Sequence, residues 1–355
     1  MAKSAGTPVK VAAPVGAEEA VDVVIVGAGP CGLAAAITML RAGLSCVVYD
    51  GGAVTSTITA YPTYVNFFST AEKLAIGGLP FVIGGDKPGR RDARAYYRSA
   101  VTYFGIPVRQ FEKVTEVTGS EGSFVVHTLR RGGDVRSVRA RFVIIATGYF
   151  GSPNRLGVPG ETLGHVSHIY KEGHEAFDQD AIVVGGGNSA AEAALDLWRS
   201  GARVTLVHFG PTFDMKIKPW IRPDLENRIK EGSIAVRWHS RVTAISTRNV
   251  VLDTQGVTST LPADRVYIMT GFAPNVSLLK QIGVRIDAVT GVPAHDPATL
   301  ETDVPGVFIA GVVVAGFDAN KVFIENGRFH GDKILARILG QPVPAEPRLS
   351  AELDS

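Results

Sequence analysis

The sequence predicts an α/β chain in which one parallel βαβ unit is inserted into another, and three observations carry that expectation. An apolar strand that runs into a glycine-rich turn and an alanine-rich helix occurs twice, over Val21–Ala42 and again over Ala181–Arg199. Each copy continues past a glycine into a second apolar run, at Ser45–Asp50 and at Val204–Val207. A further apolar strand, Gly306–Gly311, lies beyond the second copy, so the chain has to return to the first. The 355 residues suffice for two domains with separate cores. The expected division is 21–151 with 291–345 for the first domain and 152–290 for the second, flanked by a disordered leader over 1–20 and a tail over 346–355.

Taken in order, Val21–Val26 is apolar almost throughout, as a strand buried on both faces of a parallel sheet must be. Cys31–Ala42 has the alanine content of a helix packed on that sheet, and Gly43 can end it in the left-handed conformation. Strand patterns follow at Ser123–Leu129, Val135–Arg139 and Phe142–Ala146, the last closing on Thr147-Gly148. The second unit has its strand at Ala181–Val184 and its helix at Ser189–Arg199 with a stop at Gly201; a later apolar strand ends on Met269-Thr270-Gly271. The Gly306–Gly311 strand then leads to a helix expected over Lys321–Leu339.

Composition narrows the function. Hydrophobic residues at 45% and charged residues at 20% exclude disordered and fibrous classes. With 36 basic against 34 acidic residues there is no global field to draw the chain to nucleic acid or to a membrane surface, so any anion site must be local. The first 20 residues lack an apolar signal core and no uninterrupted apolar span of about 18 residues occurs, which leads us to expect a cytoplasmic protein. The two cysteines, Cys31 and Cys46, form no CxxC and have no ligand spacing with histidine, so neither a disulfide framework nor a metal site is expected.

The glycines define the chemistry. In Gly27-Ala28-Gly29-Pro30-Cys31-Gly32, Gly27 permits a tight turn, Gly29 lets the backbone approach a pyrophosphate and Gly32 allows close helix–strand packing. The phosphates would rest on the N–H groups and positive dipole end of the helix. Asp50, with Gly51 behind it, ends the second strand, where a carboxylate can accept hydrogen bonds from a ribose. Strand, glycines, helix, strand and acid together make this a Rossmann-like dinucleotide unit. Gly185-Gly186-Gly187-Asn188-Ser189-Ala190 repeats the turn with the small Ala190 in third place. Its second strand ends at His208 rather than at an acid, so the carboxylate that would repel a ribose phosphate is missing and NADPH is favoured over NADH. His208, Lys216 and Lys218 are candidate cations there, set against the reading of lysines on a solvated loop. Cys31 opens the first helix, where the dipole lowers a thiol pKa and a bound pyrophosphate raises it. From the residues alone it is either a redox thiol or a small side chain filling a crowded turn, whereas Cys46 reads as core.

The order of elements over roughly residues 21–340 resembles the flavoprotein reductases built like low-molecular-weight thioredoxin reductase. Within it, Asn66–Leu74 with Ile76-Gly77, Val166–Glu172 and Phe323–Gly331 resemble the bacillithiol disulfide reductase family, also called bacilliredoxin reductase. That resemblance implies FAD at the first fingerprint, NADPH at the second, and a bacillithiol disulfide or a bacilliredoxin as electron acceptor. It also implies Cys31 as the redox thiol, assembly as a homo-oligomer, and contacts to the flavin half of FAD from Asn66, Gly148, Gly311 and a helix start at Lys321, Val322 and Phe323. His168, Tyr170, Lys171 and His330 are either proton donors or satisfied polar residues, a choice the sequence leaves open and geometry must decide, with satisfied polar residues the default. The chain departs from related patterns in three places. His168–His174, where thioredoxin reductases carry a CxxC, has no cysteine, so a dithiol relay is not expected. Val312 stands where an aspartate holds the ribityl chain, and Phe209 where an arginine usually follows the second-unit strand, which leaves the lysines to supply charge. The expected activity is FAD-dependent, NADPH-driven reduction of such a disulfide. The alternatives are an NAD(P)H:ferredoxin-type reductase and a flavin-binding redox sensor without sustained turnover.

Overall fold

In chain order the first six strands are β1 (Glu19–Val26), β2 (Cys46–Asp50), β3 (Val108–Gln110), β4 (Glu112–Thr118), β5 (Phe124–Arg130) and β6 (Val135–Ile145). The computed structural model that contains them describes residues 19–215, 217–318 and 321–345. Side by side the strands run β3-β2-β1-β6-β5-β4. β1 is parallel to β2, with Val23 beside Cys46, and to β6, with Ile25 beside Ile144, which is why its run is apolar on both faces. The two strands expected over 135–146 are one. Residues 135–140 of β6 pair antiparallel with β5, while 138–145 pair parallel with β1, so a single strand joins a solvent-side meander to the buried sheet.

The second unit begins with β7 (Ser152–Pro153), β8 (Val166–Ser167), β9 (Asp180–Val184), β10 (Arg203–Val207) and β11 (Ile234–Arg237). The meander β12 (Ser240–Ile245), β13 (Asn249–Thr254) and β14 (Val257–Pro262) follows, then β15 (Arg265–Ile268) and β16 (Phe272–Ala273). A parallel sheet forms in the order β11-β10-β9-β15-β8. β7 and β16 pair antiparallel, Phe272 with Pro153, so the chain leaves the first unit and comes back to it through one two-stranded joint. β17 (Val307–Ile309) then lies parallel to β6, Val307 beside Val143.

Packing moves one expected boundary. Val276, Leu278, Leu279, Ile282, Val284 and Ile286 cover the face of the first sheet made by Val24, Val47 and Ile145, so residues from about 276 onward already belong to that core rather than from 291. The opposite face takes the helix Pro30–Arg41 through Leu33, Ile37 and Met39, each at most 1% exposed. Burying a side chain of that size contributes about 1.5–3 kcal/mol, so this helix is anchored by packing rather than by its propensity alone. The helix expected over Lys321–Leu339 is two, Ile324–Gly327 and His330–Ile338. Asn326 explains the late start: its Oδ1 accepts the Phe323 N–H at 2.8 Å and its Nδ2 donates to the Lys321 carbonyl at 3.0 Å, replacing an earlier helical turn. The leader expected over 1–20 lies outside the described residues except for Glu19 and Ala20, which begin β1, and the tail lies wholly outside them. Among the described residues no helix is long and apolar enough to cross a membrane.

Candidate functional site

The first fingerprint turn and the ends of β2 and β6 converge on a cavity of about 1110 Å³. Gly27 makes the turn at φ +116°, and a Cβ there would lie 2.2 Å from the Ala146 carbonyl oxygen. A Cβ on Gly32 would lie 2.0 Å from the Gly27 carbonyl oxygen. Both glycines are therefore committed to seating the helix on β6. Gly29 is different, because nothing lies within 4 Å of the Cβ it lacks and it faces the cavity. It caps the helix Pro30–Arg41 with no side-chain hydrogen bond to the first turn, which leaves N–H groups beside open space, as a pyrophosphate requires. Asp50 accepts the Ala28 N–H at 2.8 Å on one oxygen and the Gly52 N–H at 2.7 Å on the other. The carboxylate thus ties the turn to β2 and still has lone pairs for a ribose hydroxyl. Pro30 and Gly51 line the same wall.

Beyond the turn the cavity runs past Gly148, Gly311, Val312, Val322 and Phe323, with Cys31 on its wall. Cys31 fits because two glycines give way to it: a Cβ on Gly311 or Gly327 would come within 3.2 or 2.8 Å of its sulfur. Burial, and secondarily the charge of Glu325, push this thiol up to about 12. Desolvation outweighs the helix dipole here, and the group rests protonated at neutral pH. Cys46 is 4% exposed, donates to the Ala36 carbonyl and is core.

Several wall residues escape a reading of the sequence. Phe150 stacks on Phe272 with ring centroids 4.0 Å apart and meets the edge of Tyr61 at 5.2 Å, and Phe150 and Tyr61 face the cavity. Ser69 Oγ hydrogen-bonds the Glu325 carboxylate, and both face the cavity. These two lie within the quoted segments, but only the packing of residues 66–72 beside 323–331 brings them together. Two expected flavin contacts do not reach the wall. Asn66 forms an isolated bridge with Gly89, and its neighbours Phe67, Phe68 and Ser69 take the wall instead. Lys321 points to solvent with its Nζ 3.7 Å from Asp318, since the helix starts later than expected. His168 sits 3.2 Å from Glu161, Tyr170 donates to Asp196 at 2.5 Å, the Lys171 carbonyl accepts the Thr63 N–H, and His330 Nδ1 accepts the Gly311 N–H. None of the four lines the cavity.

At the second fingerprint, Gly185 turns at φ +148° with a Cβ position 2.4 Å from the Met269 carbonyl oxygen and 3.1 Å from the Ala190 Cβ, so only a small third residue fits. Gly187 has nothing within 4 Å and caps the helix Asn188–Arg199 without a side-chain bond. Ser189, exposed in its first turn, and this open cap repeat the anion cradle of the first unit. Asn188 Oδ1 accepts the Lys218 N–H at 2.8 Å. The expected cations fare less well. The His208 ring fills the space over Gly186, whose Cβ would lie 2.3 Å from Cε1, and burial pulls its pKa below the ordinary value against the weaker opposing influence of Asp214. Burial thus works against its serving as a cation. Lys218 Nζ is held 2.8 Å from Glu192, and Lys216 lies outside the described residues. Phe68, on the rim of the cavity, stacks on Trp220 of the second unit at 5.5 Å and 3° between ring planes, both rings more than half exposed.

Residues 24–311 match the family model described as pyridine nucleotide-disulphide oxidoreductase. The chain is 44% identical over 317 residues to "Bacilliredoxin reductase Bdr" of Bacillus subtilis (strain 168), covering 89% of this chain and 96% of that protein. It is 30% identical to a "Ferredoxin--NADP reductase" of Ignicoccus hospitalis, over 82% of this chain and 89% of the other. Among solved structures it is similar to a bacillithiol disulfide reductase Bdr from Bacillus cereus, with a TM-score of 0.88 and 42% identity over 91% of this chain and 99% of that one.

Proposed function

The chain belongs to the pyridine nucleotide-disulphide oxidoreductases, within the bacilliredoxin reductase family, and from that premise we propose that it reduces bacillithiol disulfide, or the mixed disulfide carried by a bacilliredoxin, with NADPH. It is a flavin-dependent oxidoreductase whose cofactors are FAD and NADPH. NADPH, one proton and one disulfide give NADP⁺ and two thiols. When bound, the flavin supplies hydride acceptance from the nicotinamide and electron delivery to the disulfide. Gly29, the open helix start and Asp50 would hold the ADP half of FAD; Gly148, Gly311, Val322 and Phe323 would border the flavin half. Tyr61 and Phe150, the latter backed by Phe272, keep that end of the cavity apolar.

The observation that carries the reading is Cys31 on the cavity wall in a chain with two cysteines and no CxxC. A dithiol within the chain is replaced by one thiol facing the cofactor site, which suits a substrate that brings both of its own sulfurs. Cys31 would attack the disulfide and release one substrate thiol, and the mixed disulfide left on it would be cleaved by the two electrons that NADPH supplies through bound FAD, which frees the second thiol and restores Cys31. Because burial holds it protonated, its proton must leave first, and the negative charge of Glu325, held by Ser69 on the same wall, works against that loss. Turnover of purified protein with NADPH and oxidised bacillithiol or bacilliredoxin is the test. Cys31→Ala should retain flavin reduction by NADPH and lose at least tenfold in disulfide turnover; unchanged turnover would refute the thiol role. One observation favours a second reading: a thiol held at about 12 is a weak nucleophile, and the flavin alone would suffice for single-electron delivery. Sustained reduction of a ferredoxin with no thiol release from disulfides would establish that reading instead.

A further inference from the structure

Recognition of a ribose phosphate at the second fingerprint needs a cation near the end of β10, and among the described residues the two candidates apparent in the sequence, His208 and Lys218, do not supply a free one. His208 is packed over Gly186, and Lys218 is shared with Glu192. The strand end continues as Phe209 and Gly210, and Phe209 is 61% exposed. Over its ring, with the guanidinium carbon 4.9 Å from the centroid, lies Arg241 of β12. This placement is built into the backbone. His208 N–H donates to the Arg237 carbonyl at 3.0 Å, Ser240 N–H to the His208 carbonyl at 3.0 Å, and His239 N–H to the Gly210 carbonyl at 3.2 Å, so the start of β12 is laced to the residues that follow β10. Among the described residues no carboxylate pairs with Arg241. An arginine stacked on an aromatic ring keeps its in-plane N–H donors free, which is the presentation that suits a phosphate.

We propose that Arg241, carried on Phe209, is the residue that recognises the 2′-phosphate of NADPH in this chain. The proposal rests on the reading that the second fingerprint holds the nicotinamide dinucleotide. It takes the place of a charge that the chain lacks at position 209 itself: the aromatic ring there serves as a platform, and the charge arrives from a strand 32 positions further on. Phe209 supplies the surface and Arg241 the phosphate contact, so the two act as a pair.

Equilibrium binding of 2′,5′-ADP and of 5′-AMP to the FAD-loaded protein tests this without any turnover. The wild type should bind 2′,5′-ADP more tightly than 5′-AMP. Arg241→Gln should weaken 2′,5′-ADP by about 10–100-fold while changing 5′-AMP by less than about twofold, the loss expected for one charge-assisted contact. Arg241→Lys should lose part of the discrimination, because a point charge remains without the planar fork, and Phe209→Arg added to Arg241→Gln should restore it. Discrimination that survives Arg241→Gln, or a loss that falls equally on both nucleotides, would overturn the assignment while leaving the dinucleotide site standing. Failure of the wild type to bind either nucleotide would overturn the site and the assignment together.

Discussion

Gly27 and Gly29 stand two positions apart and answer different demands. Gly27 has a left-handed φ and a carbonyl oxygen where its Cβ would be; Gly29 has an ordinary extended conformation and open space. Gly27→Ala should therefore cost about 2–4 kcal/mol of stability from strain and overpacking. Gly29→Ala should leave the thermal midpoint of the FAD-free protein within about 1 °C of wild type yet lower FAD retention about tenfold, because the added methyl occupies the pyrophosphate approach. Flavin absorbance per polypeptide and thermal unfolding distinguish the two; equal destabilisation by both would contradict the division of labour. At this scale the fingerprint was legible because each glycine answers to its own neighbours in the turn. His208 was not: its ring is packed against Gly186, Phe213 and Trp238, a setting that no local spacing reveals. Near Asn66 it is residues 67–69 that line the cavity, a turn of the backbone that the sequence does not reveal.

Elements with a strong local signature, the two fingerprint helices and the strands beside them, fall within a residue or two of their expected bounds. Those defined by their partners do not. β6 reads as two strands because its two ends meet different environments, exposed and alternating at 135–139 and buried at 142–145. The short helix Ser277–Ile282 carries no signature and was counted with the second unit, yet Leu279 is fully buried against the first sheet and Leu278 and Gln281 reach the cavity. Leu279→Ala should accordingly destabilise the protein by about 2–5 kcal/mol in urea unfolding. FAD binding should fall with it, since the same helix borders the cofactor cavity. A loss of nucleotide binding at the second unit with FAD untouched would place this helix in the wrong core.

For the whole molecule, the insertion of one unit into the other means that the covalent connection between them is narrow. The chain passes out and back through the antiparallel pair β7 and β16, and away from that joint the units meet through contacts such as Thr63 with Lys171 and the stacked rings of Phe68 and Trp220. An aromatic pair this exposed contributes about 0.5–1.5 kcal/mol beyond its buried area, so little energy is needed to separate it. The pair therefore serves as an optical gauge of the molecule's posture. With Trp198→Phe and Trp238→Phe, Trp220 is the sole indole, and its emission reports whether the Phe68 ring lies against it. Phe68→Ala should shift that emission to longer wavelength and abolish its response to NADPH. A response that persists without Phe68 would mean that the indole senses the nucleotide rather than the closing of one unit on the other.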